Sequence, residues 1–266
     1  MTTAALALPG PRLVRADLLK LRKRRSLVAV VSLMTIGAVV IANVVLVALH
    51  AANPAKHGPA GGLENLGHTS LLLSLVGGVA AVLVAASAGV GDLDAGVYRD
   101  LVVTGRSRRA LYLSRLPAGL LFLLPFVTVA YVLTAIASVA FAGSLAAPGT
   151  LLLAETGAWV VLSVAFYYVV TLGLACAIGS RSQTIAIMLA WRLAVSPILL
   201  SISALGVGRE LVPTAALEHF APSGVARQLV QGAHVPMSTG AAVAVLLVWA
   251  LAFVRIGRWR DTSRDA

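Results

Sequence analysis

The chain has 266 residues, of which 59% are hydrophobic and only 12% charged, and its mean hydropathy is +0.93. A soluble domain of this size cannot hide so much apolar surface, and several runs of roughly 20 or more apolar residues point to an all-α membrane protein. The formal net charge of +11 then belongs to loops that meet anionic headgroups, and nucleic acid is not expected as a partner.

At the N-terminus Pro9-Gly10-Pro11 breaks structure, and Val14, Leu18 and Leu21 then recur at helical spacing. Arg15, Lys20, Arg22 and Lys23 occupy the remaining circumference. This pattern predicts an amphipathic helix on the membrane surface, its apolar face in the acyl boundary and its cations among membrane-lipid phosphates. A merely basic juxtamembrane tail is the plainer alternative. The cluster Arg22 to Arg25 precedes an apolar run longer than the h-region of a signal peptide, so a retained first span is expected.

Six spans are predicted, at about 27–49, 70–90, 116–141, 151–178, 184–205 and 238–256, within a single transmembrane domain covering residues 1–266. The loop from His50 to His68 is rich in proline and glycine and nearly neutral. In span 2, Gly77, Ala81, Ala85 and Gly89 form a small-residue stripe for close helix packing. Pro125 predicts a kink in span 3. The one cysteine, Cys176, lies in span 4, so no intrachain disulfide is possible. Arginine outnumbers lysine and alanine abounds, a usage that fits a GC-rich bacterial genome.

The stretch from Gly91 to Arg115 is the long polar interruption that carries both signs of charge. Val97 with Leu101, and Tyr98 with Val102, sit four apart, which predicts a short amphipathic helix. Thr104-Gly105 reads as a helix stop, and Ser107 as the cap of the helix that follows. Between spans 5 and 6, Thr214 is expected to cap a short helix through Phe220, and Ser223 a second ending near Gly232. This pair is expected at the outer interface or dipping back into it.

Basic residues near the span ends set the orientation. With the N-terminus inside, seven precede span 1, five lie in the 91–115 stretch, one is Arg181 and four lie at the end of span 6 and beyond it, against Lys56, Arg209 and Arg227 outside. That asymmetry predicts both termini, and the 91–115 stretch, in the cytoplasm.

Few side chains carry chemistry. No Gly-Lys pair occurs, so the chain has no P-loop and binds no nucleotide of its own by that motif. HExxH and GxSxG are absent as well. His50, His57, His68, His219 and His234 all fall on predicted outer segments, none at i, i+4 spacing, and no metal site is expected of them. Glu155, beside Trp159, reads as an interface anchor. Arg192 is the sole ionisable residue well inside a span. Two readings stay open for it: a functional charge, because burial there costs about 2.5–3.5 kcal/mol, or a side chain that snorkels to the headgroups.

Taken in order along the whole chain, these features resemble the permease subunits of ABC-2 type transporters, the six-span class of bacterial ABC exporters. In that family the loop between spans 2 and 3 carries an acidic residue, then Gly-Thr, an apolar stretch and a basic Ser-Arg-Arg patch. Here Asp94, Gly96 and Val97 stand in that place, followed by Leu101, Val102 and Val103, then Arg106, Ser107, Arg108 and Arg109. Val97 replaces the usual threonine and Asp94 the usual glutamate. The short outer helices before span 6 are similar too.

The resemblance implies a bacterial plasma-membrane subunit that is not itself an enzyme. Two copies of a separate ABC ATP-binding subunit would supply ATP and Mg, and a second permease chain, identical or similar, would complete the pathway. A coupling helix at Asp94–Val103 would dock in the ATPase through Val97, Tyr98 and Leu101, with Val102 on the same face. Arg106, Arg108 and Arg109 would lie against acidic ATPase residues or headgroups. The cargo implied is a small hydrophobic or amphiphilic compound, moved outward. A non-transporting membrane binding or immunity protein is the main alternative, and a membrane enzyme a third.

Overall fold

A computed structural model describes residues 10–97, 100, 103, 107–222 and 235–263. Among them every regular element is helical. Helix α1 is Pro11–Lys23, α2 Arg25–Ala52, α3 Gly62–Asp94, α4 Arg108–Ala140, α5 Thr150–Ile178, α6 Arg181–Ser201, α7 Pro213–His219 and α8 Thr239–Ser263. Six of these, α2 to α6 and α8, are long and apolar enough to cross a membrane.

The helices outrun the predicted spans because their stop signals lie beyond the apolar runs. Helix α3 begins at Gly62 rather than near Ser70, so Glu64, Asn65 and His68 are helical. It ends four residues past Val90 in a Schellman arrangement: the Val97 amide donates to Asp92 O at 3.1 Å and the Gly96 amide to Leu93 O at 3.0 Å. Gly96 takes φ +67, the left-handed conformation that glycine adopts without penalty. Helix α4 starts at Arg108, where Ser107 Oγ accepts the Ala110 amide at 3.2 Å, as the sequence leads one to expect. Pro117 therefore lies well inside α4, as does Pro125. At 33 residues each, α3 and α4 span about 50 Å at 1.5 Å per residue, more than the ~30 Å of a hydrocarbon core.

Helix α6 stops at Ser201, short of Leu205, and a 3-10 segment, Ser203–Leu211, follows it with Gly206 at φ 50. Two π-type turns widen the bundle helices, Leu33–Gly37 in α2 and Trp191–Val195 in α6. Helix α8 runs past Ile256 to Ser263.

Helices α3 and α5 form the centre, with α4 and α8 against them. Gly77, Ala81, Ala85 and Gly89 are all buried, and a Cβ on Gly89 would lie 2.7 Å from Ala175 Cβ, so the stripe sets how closely α3 meets α5. On the other side of α5, Gly173 meets Gly257 of α8, where an added Cβ would sit 2.8 Å from the Gly173 Cα. Polar contacts join the helices as well. Asn65, 5% exposed, donates to Asn43 Oδ1 of α2 at 3.2 Å and to Ser138 Oγ of α4 at 3.1 Å, and accepts from Thr69 at 2.9 Å. Helix α7 is fixed by Trp159, whose Nε1 donates to Leu217 O at 2.8 Å.

Candidate functional site

The segment proposed from sequence to dock a partner is rooted in two well-formed helix ends. Asp94 is the last residue of α3, and Asp94, Gly96 and Val97 are exposed. Arg108 and Arg109 open α4, Arg108 half-buried and Arg109 exposed. Tyr98, Leu101, Val102 and Arg106 lie outside the described residues. The expected short helix does not begin at Asp94, which closes α3 before the left-handed turn at Gly96, whereas Asp100 and Val103, the residues described beyond that turn, are helical.

Directly beneath this segment is a buried ion network. Arg115, 3% exposed, pairs through Nη2 with Asp92 Oδ2 at 3.3 Å and through Nη1 with Asp261 Oδ1 at 3.6 Å. Nη1 also donates to Gly89 O at 3.3 Å and to Cys176 Sγ at 3.6 Å. Asp92 accepts from Lys20 Nζ at 3.0 Å, Lys20 pairs with Asp17 at 3.2 Å, and Ser114 Oγ donates to Asp17 Oδ2 at 2.5 Å. Tyr168 OH donates to the Arg115 carbonyl at 2.7 Å. One arginine thus ties α3, α4, α5 and α8 together, and Lys20 with Asp17 fastens α1 to them. A cavity of about 20 Å³ among Asp17, Lys20, Arg24, Asp92 and Arg115 has room for one water.

The network changes the reading of α1. It is a helix, as expected, but its apolar stripe faces protein: Leu21 is buried in the core, Leu18 packs against that core, and Val14 is half-buried. Arg12, Arg15, Arg22 and Lys23 stay exposed. The stripe is spent on the bundle because Asp17 and Lys20, one turn apart, find partners on α3 and α4.

Arg192 sits in the π-type turn of α6 and does not snorkel. Its Nη2 donates to Ser74 O of α3 at 2.6 Å, and its guanidinium carbon lies 3.9 Å from the centre of the Tyr167 ring of α5. Gly78 makes room for it, since a Cβ there would lie 2.5 Å from the guanidinium carbon. Nε and Nη1 are buried with no hydrogen-bond acceptor among the described residues, and no carboxylate there pairs with Arg192. Beside it, Ser196 Oγ donates to Thr214 Oγ1 at 2.6 Å, and the Tyr167 and Thr214 hydroxyls are 3.3 Å apart. Thr214 is therefore not the cap of α7. Pro213 opens that helix, and Val212 precedes it without a side-chain cap.

Tyr167 also walls an apolar cavity of about 190 Å³ between α5, α6 and α8, shared with Phe166, Met188, Trp191, Trp249 and Phe253. The Trp191 and Trp249 rings are 5.5 Å apart, and Trp249 stacks on Phe253 at 5.7 Å.

At the opposite end from α1, a cavity of about 370 Å³ is lined by Lys56, His57, Glu64, Asn65 and His68, among others. His50 Nδ1 lies 2.7 Å from His57 O, and His219 Nε2 lies 3.0 Å from Thr239 Oγ1. No group of three His, Cys, Asp or Glu among the described residues could hold a metal ion. Burial on α7 pushes the Glu218 carboxyl up to about 7. Glu155 is exposed on α5 and Trp259 on α8. His234 and the second outer helix expected at Ser223–Gln231 lie outside the described residues.

The sequence reading placed Asp92 and Arg115 only within the polar stretch and gave Asp17 and Asp261 no role. The available signal was positional. Asp92 falls two residues after the predicted end of span 2, and Arg115 one residue before the predicted start of span 3, so two antiparallel helices bring them level.

No protein-family model matches the chain, and no curated protein matches it either.

Proposed function

We propose that the chain is the permease subunit of an ATP-driven exporter of the ABC-2 type, docking a separate ATP-binding subunit at the α3–α4 junction. The observation that carries this reading is the junction itself. Asp94, Gly96, Val97 and Arg109 are exposed on it, while Asp92 and Arg115 at its roots are locked to three other helices, α1, α5 and α8. A surface built this way can receive force from a partner and pass it to the bundle without local unfolding. The chain carries no P-loop, so the energy source lies in another subunit.

In this reading two ATP-binding subunits engage two permease chains on the cytoplasmic face, the side assigned to α1 and the α3–α4 junction by the arginine asymmetry. Closure of the ATPases on ATP pushes the ends of α3 and α4. Arg115 carries the displacement into α5 and α8, and Lys20 with Asp17 carries it into α1. The transition is a rigid-body tilt of packed helices, and the cargo leaves outward.

The test is transport. Vesicles holding this chain and the ATPase of a neighbouring gene should move a fluorescent amphiphile across the bilayer with ATP and Mg, and not with a non-hydrolysable analogue. Equal movement with and without ATP would favour a binding or immunity protein instead.

A further inference from the structure

Protein interiors are close-packed and hold few spaces larger than a water molecule. The cavity between α5, α6 and α8 is such a space, at about 190 Å³ larger than the ~150 Å³ of an engineered cavity known to take benzene. Its walls are apolar or aromatic throughout, and five of them are aromatic rings: Phe166 and Tyr167 on α5, Trp191 on α6, Trp249 and Phe253 on α8. Polar tips on these rings have partners elsewhere. Trp249 Nε1 donates to Leu211 O at 3.1 Å, and the Tyr167 hydroxyl lies 3.3 Å from Thr214 Oγ1. Phe166 meets Tyr167 edge-on at 5.9 Å, and Met188 beside them adds a polarizable thioether.

Ile187, another wall residue, is 49% exposed on the outside of α6, so the cavity opens toward lipid. An occupant therefore arrives from hydrocarbon and not from water. An apolar molecule gains nothing from the hydrophobic effect in that transfer, because lipid tails are as apolar as the walls. Contact chemistry decides instead. Aromatic walls favour another aromatic ring, through offset-stacked and edge-to-face contacts, over a saturated group of equal size. Charge of either sign is disfavoured. An anionic group would find no donor in the cavity and would be buried without a partner. A cation would lie in the field of the Arg192 guanidinium, which is not a wall of the cavity but sits 3.9 Å from the centre of the Tyr167 ring. We propose that the cavity binds an uncharged compound through a small aromatic ring system that enters sideways from the membrane. The ring is held between Phe166 and Tyr167 on α5 and the stacked rings of α6 and α8.

That this compound is the exported cargo rests on the permease reading, whereas its binding does not, and the experiment uses binding alone. Trp191 and Trp249 are two of the four tryptophans, so a bromine held in the cavity quenches them. Purified protein in zwitterionic lipid discs is titrated with bromobenzene, bromocyclohexane, 1-bromohexane, 4-bromobenzoate and 4-bromobenzyltrimethylammonium. Each is counted by its concentration in the membrane. Bromobenzene should quench saturably, about two- to tenfold tighter than bromocyclohexane or 1-bromohexane, the range by which aromatic pairing exceeds plain burial. The two charged rings should quench without saturating. Val170→Phe, which puts a larger side chain at the cavity wall, should abolish the saturable component. Trp191→Phe with Trp249→Phe keeps the walls aromatic and should leave only the non-saturating quenching of Trp159 and Trp259. Bromocyclohexane as tight as bromobenzene overturns the proposal, and so does 1-bromohexane as tight, which would make a lipid chain the occupant. Saturable binding of a charged ring overturns it too, as does a saturable signal that survives in the double tryptophan variant. Should Val170→Phe not insert, the probe comparison on the unaltered protein and the tryptophan variant decide the matter. Failure here leaves association with the ATPase untouched, and loss of that association leaves this binding untouched.

Discussion

Arg115 is 3% exposed and pairs with two carboxylates, Asp92 and Asp261, on different helices. Removing one partner of a buried pair strands the other charges, at a cost of about 3–5 kcal/mol. Arg115→Met should therefore lower the unfolding temperature in detergent sharply. Lys20→Met, at a side chain 43% exposed, should cost no more than about 1 kcal/mol. Equal effects from the two would mean that the network is a surface feature. Glu218 gives a second expectation. Its carboxyl is raised from 4.5 to about 7, so between those values the folded protein holds a proton that the unfolded chain has lost. Its contribution to stability is complete below about 4.5 and is lost as pH rises through about 7. Glu218→Gln should flatten that part of the profile in thermal-shift measurements, and an unchanged profile would assign the dependence to another group.

At the scale of elements, close approach sets the packing. A Cβ on Gly173 would strike the Phe253 backbone, and backbone cannot swing aside as a side chain can. Gly173→Ala should cost about 1–3 kcal/mol and loosen α8 from α5. Gly149→Ala, with nothing within 4 Å, should stay within about 0.5 kcal/mol. Thermal unfolding of the two variants side by side checks this.

The same elements mark what could be read from the sequence. Apolar run length is a direct consequence of bilayer solvation, so all six long helices and the Gly77–Gly89 stripe were legible. Most helix ends were not, because a stop such as Gly96 acts on backbone hydrogen bonds irrespective of hydropathy, whereas the Ser107 cap of α4 was read correctly. The network was hidden for a different reason. Asp17, Asp92, Arg115 and Asp261 are far apart in the chain, and only the antiparallel register of long helices makes them neighbours. For Arg192 the sequence identified the residue and left its role undecided. The decisive facts, its seat over Gly78 and its stack on Tyr167, are tertiary.

For the whole molecule, the proposed exporter has two parts acting in series: an exposed junction that meets the ATPase and a buried network that carries the displacement. Each part is separable by mutation because the residues do not overlap. The central claim is that the α3–α4 junction holds an ATP-binding subunit. The most direct measurement is co-purification of this chain with the ATPase of a neighbouring gene. It is made for the unaltered chain and for a Val97→Asp, Arg109→Glu variant, both positions being exposed and outside the network. The account predicts that the unaltered chain brings the ATPase with it and that the variant, inserted in membranes to the same level, does not. A variant that retains the ATPase in full, or an unaltered chain that purifies without one, would contradict it.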